Sequence, residues 1–158
     1  MEKTLAMKTL EGKRIQYEVL SYPDSMRDAE EIAAYLVLPA HEVFKTLVVL
    51  PPEGSKKPLL VMIPADNQLD LKKLAAILNV KKIKMATQRE AEDLTGLQVG
   101  GISAIALLNK GFFVFLDDAA RSLSHIYISA GKRGTQLRVP VAEIVNLTNA
   151  RVVSVVVD

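Results

Sequence analysis

The segment His41-Glu42-Val43-Phe44-Lys45-Thr46-Leu47-Val48-Val49-Leu50 constrains the fold more than any other stretch of the chain. Polar residues open it and the pair Pro51-Pro52 closes it. The β-branched and aromatic residues between give it the pattern of a central strand. Alternate side chains of a strand point to opposite faces, so Lys45 shares its face with Val43, Leu47 and Val49. An ammonium on such a face must reach water, meet an anion or give up its proton. The strand taken alone favours a wet end, with Lys45 reaching solvent. A cleft needs support from elsewhere in the chain.

Composition narrows what that support can be. The chain has 158 residues, 49% of them hydrophobic and 24% charged, which suits one domain spanning residues 1–158 with a core of its own. Cysteine is absent, which excludes disulfides, thiolate catalysis and most zinc sites. His41 and His125 are the only histidines, too few for a histidine metal cluster, and no cofactor or metal is called for. The N-terminal residues lack a signal-type apolar core and no run reaches membrane-spanning length, so a cytoplasmic protein is expected. The net charge of +2 does not by itself argue for nucleic acid. The pairs Lys56-Lys57, Lys72-Lys73, Lys81-Lys82 (with Lys84) and Lys132-Arg133 read as solvated faces that would also suit a few RNA phosphates.

The remaining pattern alternates hairpins with short helices. Helices are expected over residues 4–10 and 28–36, after Asp70, after the capping-box sequence Thr87-Gln88-Arg89-Glu90, and over 141–147. Strands are expected over 15–20, 59–63 (antiparallel to the Lys45 strand), 111–116 and 152–157. Two further arms, 126–129 and 135–139, flank the turn Ala130-Gly131-Lys132-Arg133-Gly134. Val99-Gly100-Gly101-Ile102-Ser103-Ala104 is a glycine-rich loop whose glycine spacing does not fit a dinucleotide fingerprint. The order argues for a mixed α/β domain with a partly antiparallel sheet or barrel, and against a doubly wound fold.

Three stretches together resemble one family. Val43-Phe44-Lys45-Thr46-Leu47, Val99-Gly100-Gly101-Ile102-Ser103 and Ile128-Ser129-Ala130-Gly131-Lys132-Arg133-Gly134 are similar to signature blocks of the YbaK-type aminoacyl-tRNA deacylases, free-standing relatives of the editing domain of bacterial prolyl-tRNA synthetases. Gln68-Leu69-Asp70-Leu71-Lys72-Lys73-Leu74 also resembles the family's helix start, so the likeness runs from about Tyr17 to the C-terminus. It implies a single mixed domain built on a curved, barrel-like, mostly antiparallel sheet with surrounding short helices. It implies hydrolysis of the ester joining a wrong amino acid, cysteine or alanine, to proline tRNA, with tRNA as substrate and prolyl-tRNA synthetase as a partner.

By the same resemblance, Lys45, Gly100 and Gly101 are catalytic, Lys45 facing the charged 3′ end of the tRNA. Tyr22, Thr46, Ile102, Ser103, Ser129, Gly131 and Gln136 would contact substrate. Glycines let a backbone approach a small substrate, and fixed N–H groups can hold a carbonyl oxygen as it gains charge. Blander roles fit some of the same residues. Gly100 and Gly101 suit a tight turn, Thr46 faces away from Lys45, Ser103 and Ser129 can satisfy local backbone groups, and Tyr22 can be packing. Lys132-Arg133 suits a hairpin tip in water or a contact to an acceptor stem. Two departures from the family pattern stand out: Ala104 occupies a position usually held by proline, and Gln136 one usually held by aspartate. They keep open a second class of function, a non-catalytic module that binds a tRNA end, a nucleotide or a synthetase.

Overall fold

Side-chain caps set where most of the helices begin. In the computed structural model, which describes residues 2–158, Thr4 accepts from Met7 N–H to open α1 (Leu5–Gly12). Strand β1 (Glu18–Ser21) follows, then α2 (Ala29–Leu36), where Asp28 accepts from Glu31 N–H. A 3₁₀ turn over Ala40–Glu42 leads into β2 (Phe44–Val49), which pairs with β3 (Leu59–Pro64). Asp70 accepts from Lys72 and Lys73 N–H at the start of α3 (Leu71–Ile77). At α4 (Gln88–Thr95) Thr87 and Glu90 make the expected reciprocal capping box, and Gly96 ends the helix in the left-handed region. Strands β4 (Phe113–Asp117), β5 (His125–Ser129) and β6 (Thr135–Pro140), helix α5 (Val141–Thr148) and strand β7 (Arg151–Val153) complete the chain.

Among the described residues, seven strands form two sheets, not one closed barrel. One has the order β1-β6-β5, all antiparallel. The other has the order β2-β3-β4-β7, with β2 antiparallel to β3 but β3–β4 and β4–β7 parallel. A single parallel bridge, Val43 to Tyr127, joins the sheets where β2 begins. The larger core fills the space between them: Phe44, Leu60, Met62 and Leu116 from one sheet meet Ile126, Ile128, Leu137 and Val139 from the other, with Met7 and Leu10 of α1 closing the end. A second core lies on the far face of the four-stranded sheet, where Leu59, Val61, Ile63 and Phe115 pack on Leu74 and Ala75 of α3. Strand β3 is thus buried on both faces along its whole length. Each of its large apolar side chains contributes roughly 1.5–3 kcal/mol through burial.

Several expectations are corrected. The Lys45 strand is not central: β2 is the edge of its sheet, and β3 takes the central place. Past the bridge from Val43 to Tyr127, its outer edge is covered at the far end, where Leu50 N–H donates to Lys84 O and Ala86 N–H to Val48 O. His41 and Glu42 lie in the preceding 3₁₀ turn. The first strand starts at Glu18, later than expected, and the last ends at Val153, with Val156 making only an isolated bridge to Leu69. Two 3₁₀ segments, Ile105–Lys110 and Asp118–Ser122, were not expected from sequence. The second exists because buried Asp117 spends one carboxylate oxygen on Ala119 N–H and the other on Val155 N–H, turning the chain as β4 ends. No helix among the described residues is long and apolar enough to cross a membrane.

Candidate active site

A cavity of about 150 Å³ opens where the two sheets meet. Its walls are the start of α2 with the two residues before it (Arg27, Asp28, Ala29, Ile32), strand β2 from Phe44 to Leu47, the glycine loop (Val99, Gly100, Ile102), and Ser129 and Gln136 from the adjoining strands β5 and β6. Because β2 is an edge strand, Lys45 and Thr46 both reach this cavity although their side chains start on opposite faces.

Lys45 is half-buried, and its Nζ donates to Ala65 O at 3.2 Å. Among the described residues it belongs to no ion pair. An ammonium has three protons to donate, so two remain for an anion entering the cavity. Asp28, the acid among the lining residues, already caps α2.

The glycine loop is held from three sides. Gly101 N–H donates to Gln98 O at 2.8 Å, closing a tight turn in which Gly100 has φ of +91°, the conformation a type II turn needs at its third position. Val99 N–H donates to Glu92 Oε2 at 2.9 Å, and Val99 O accepts from Arg133 Nε at 2.8 Å. A Cβ on Gly101 would stand 2.8 Å from Arg133 N and Lys132 C, so only glycine lets the loop seat on the β5–β6 turn. A Cβ on Gly100 would meet Arg27 Cα and Cβ at 3.3 Å. The loop is therefore wedged between the start of α2 and the hairpin tip. Among the described residues, the N–H groups of Gly100 and Ile102 donate to no protein acceptor, and both residues line the cavity.

Two buried polar atoms stand out at this end of the three-stranded sheet: Gln136 Oε1 and Tyr22 Oη have no hydrogen-bond partner among the described residues. Gln136 lines the cavity directly. Tyr22 lies just past β1, its N–H donating to Gly134 O. Groups with displaced titration lie elsewhere. Burial, then a hydrogen bond to Glu11, pushes the Tyr17 hydroxyl up to about 12, while hydrogen bonds from Lys3 and Tyr17 hold Glu11 below the usual carboxylate range.

The sequence profile of the aminoacyl-tRNA editing domain matches residues 23–147, from just before α2 through most of α5. The chain belongs to the aminoacyl-tRNA editing domain family. A protein of Enterococcus faecalis whose name proposes it as a Cys-tRNA(Pro)/Cys-tRNA(Cys) deacylase is 35% identical over 153 residues, which cover 95% of this chain and 91% of that one. A proline–tRNA ligase of Chlamydia caviae is 29% identical over 124 residues, 78% of this chain but only 21% of the ligase. Among solved structures, a hypothetical protein matches with a TM-score of 0.86 at 25% identity, covering 98% of this chain and all of its own. A structure described as a candidate trans-editing enzyme for prolyl-tRNA synthetase matches with a TM-score of 0.82 at 24% identity over the full length of both chains, which speaks to the fold.

Of the residues singled out from sequence in this editing-domain chain, Lys45, Thr46, Gly100, Ile102, Ser129 and Gln136 are brought together around the cavity. Gly101, Ser103, Gly131 and Tyr22 are not in its wall. Gly101 has its N–H in the turn, and Ser103 Oγ accepts from Ala106 N–H behind the loop. Gly131 donates its N–H to Ser129 Oγ, which leaves the Ser129 hydroxyl proton free. His41 and His125 lie outside the wall as well. Sequence reasoning missed Arg27, which lines the cavity and backs Gly100, and the clamp of Arg133 and Glu92 on Val99. No local signal marks Arg27, because its contact is made across the fold. Arg133 carried one: an arginine between glycines at a hairpin tip can fold back on its neighbour as readily as face water.

Proposed function

We propose that this chain hydrolyses the ester of mischarged aminoacyl-tRNA, with a small aminoacyl group such as cysteine on proline tRNA as its substrate. The observation that carries the reading is that Lys45, in no ion pair, lines the same small cavity as Gly100 and Ile102, whose N–H groups are unengaged among the described residues. In this reading the carbonyl oxygen of the ester points to the loop, whose N–H groups take up negative charge as water adds to the carbonyl carbon. The bond to the ribose oxygen then breaks, and a proton from the attacking water ends on that oxygen. Lys45 holds the phosphate or ribose oxygens of the terminal nucleotide and so fixes the ester in place.

Cavity volume and chemistry support a small aminoacyl group. About 150 Å³ leaves little room for a large side chain beside the terminal ribose. Gln136 Oε1, a buried acceptor without a partner, suits the ammonium or thiol of the amino acid. The likeness to a segment of a proline–tRNA ligase supports prolyl-tRNA synthetase as the partner that hands over the tRNA, and the cytoplasm as the place of work. The binding-module reading rests on Gln136 alone, since a neutral amide replaces the family's acid there. Ala104 gives it no support, because its φ of −62° is the one proline would impose.

The test is to incubate the purified chain with a panel of tRNAs carrying different amino acids and to follow ester loss. Rapid loss of Cys-tRNA(Pro), with Pro-tRNA(Pro) left intact, is the expected result. Binding of tRNA without loss of any ester would overturn the hydrolase and establish the binding module.

A further inference from the structure

The cavity does not end at the glycine loop. A second hollow, of about 190 Å³, shares Thr46, Leu47, Gly100 and Ile102 with the first and continues along β2 past Val48 to Met85 and Ala86. The two form one groove that follows the edge of the strand. At its far end the segment 84–86 pairs antiparallel with the last residues of β2: Leu50 N–H donates to Lys84 O, Ala86 N–H donates to Val48 O, and Val49 bridges Met85. By alternation along that ribbon, Lys84 points to the same side as Ala86, Val48 and Thr46, the side of the groove.

Lys84 begins a basic surface. Lys81 and Lys82 share a hollow with Glu53 of the β2–β3 loop, and that loop also carries Lys56 and Lys57. All five lysines are exposed, and none is in an ion pair among the described residues. Glu53 is the one acid on these two segments, 50–58 and 80–86. The acids of α4 nearest the groove are engaged, Glu90 on Thr87 N–H and Glu92 on Val99 N–H, while Asp93 of the same helix is exposed. The groove therefore runs from a lone ammonium at one end, over a floor that includes Val48 and Ala86, to a cluster of cations at the other.

We infer that this groove is the path of the RNA strand leading away from the ester, with Lys81, Lys82 and Lys84 taking its phosphates. The inference rests on the proposed function for which end of the RNA enters the cavity. The dimensions agree. Lys45 and Leu50 are five residues apart, about 17 Å along an extended strand, a span that takes several nucleotides of a single strand. A groove edged by cations tracks the backbone of a single strand, and here the charge lies at the end away from the ester.

The test compares the full-length chain with Lys81→Ala/Lys82→Ala/Lys84→Ala, three exposed positions whose loss leaves both cores intact. Binding of uncharged tRNA and of a five-nucleotide single strand ending in a free 3′ hydroxyl is followed by fluorescence anisotropy over a salt series. Ester loss is followed on aminoacyl-tRNA and on an aminoacyl-adenosine, which has no phosphates to reach the lysines. The triple variant should bind both RNAs at least about tenfold more weakly at low salt. Its slope against log salt should be shallower by about 2, as expected for three lost contacts at about 0.7 each. Hydrolysis of aminoacyl-adenosine should be unchanged while that of aminoacyl-tRNA falls. A variant with wild-type affinity and slope would overturn the path, and so would equal losses on the two esters. Lys8→Ala/Lys13→Ala, on and just after α1, serves as control, and a matching loss there would show that net charge, not the groove, holds RNA. If the wild type cleaves no ester, the proposed function fails while the salt slope still decides the groove.

Discussion

The two walls of the cavity are built in different ways. The glycine-loop wall is backbone held from behind: Val99 by Glu92 and Arg133, and the adjoining Gly101 by its turn and by contact with the hairpin tip. The β2 wall presents a side chain with one restraint, the hydrogen bond from Lys45 to Ala65 O, on an edge strand open to water. One wall supplies shape and N–H groups at set positions, and the other supplies charge that can adjust to what enters. Changes in the first wall should therefore cost stability and turnover together, whereas changes in the second should cost turnover alone.

The largest effect on turnover is expected from Lys45→Ala, with kcat/KM for mischarged tRNA falling by about 10²–10³, the scale of losing one preorganised electrostatic contact. Its unfolding free energy should change by no more than about 0.5 kcal/mol. Gly101→Ala should come next. Its Cβ would meet backbone atoms at 2.8 Å, so the loop must lift from the hairpin, lowering stability by roughly 1–3 kcal/mol and turnover by about tenfold or more. Arg133→Met keeps the bulk but removes the donor to Val99 O, and should cost roughly 1–2 kcal/mol with a smaller loss of kcat/KM. Urea titration and steady-state kinetics on the same preparations check all three.

Two smaller effects sharpen the contrast. Ala104→Pro should stabilise the chain by about 0.4–1 kcal/mol, because residue 104 already has a proline φ and its N–H donates to no protein acceptor among the described residues. It should leave the rate on the best ester unchanged. Tyr17 lies away from both walls. Its folded value, raised from 10 to about 12, means that its contribution is present below pH 10 and is lost as pH climbs to 12. Stability should fall less steeply over that window in Tyr17→Phe than in the wild type, with turnover at neutral pH the same in both.

What the sequence made legible followed from local physics. Helix starts were readable because their signals are short-range: Asp70 and the Thr87–Glu90 box cap within three residues, and acids mark the first turn of α2. The hairpin around Gly131 and Gly134 was readable from its turn residues. The edge position of β2 was not, since apolar alternation looks the same in an edge strand half-covered by a loop as in a central one. The parallel pairing of β3, β4 and β7 depends on contacts between segments far apart in the chain, and no local pattern reports it. At the site, Lys45 was conspicuous because a charge interrupts an apolar run. The close seat of Gly101 on Lys132 and Arg133 was hidden, because a glycine in a turn and a glycine under another backbone read alike.

The division between the walls is tested most directly by measuring kcat/KM and unfolding free energy for Lys45→Ala and Gly101→Ala side by side, on one mischarged tRNA at one pH. The account predicts that they separate: Lys45→Ala loses about 10²-fold or more in kcat/KM at nearly wild-type stability, and Gly101→Ala loses both. A Lys45→Ala chain that still deacylates at the wild-type rate would contradict it, and so would a Gly101→Ala chain unchanged in both quantities.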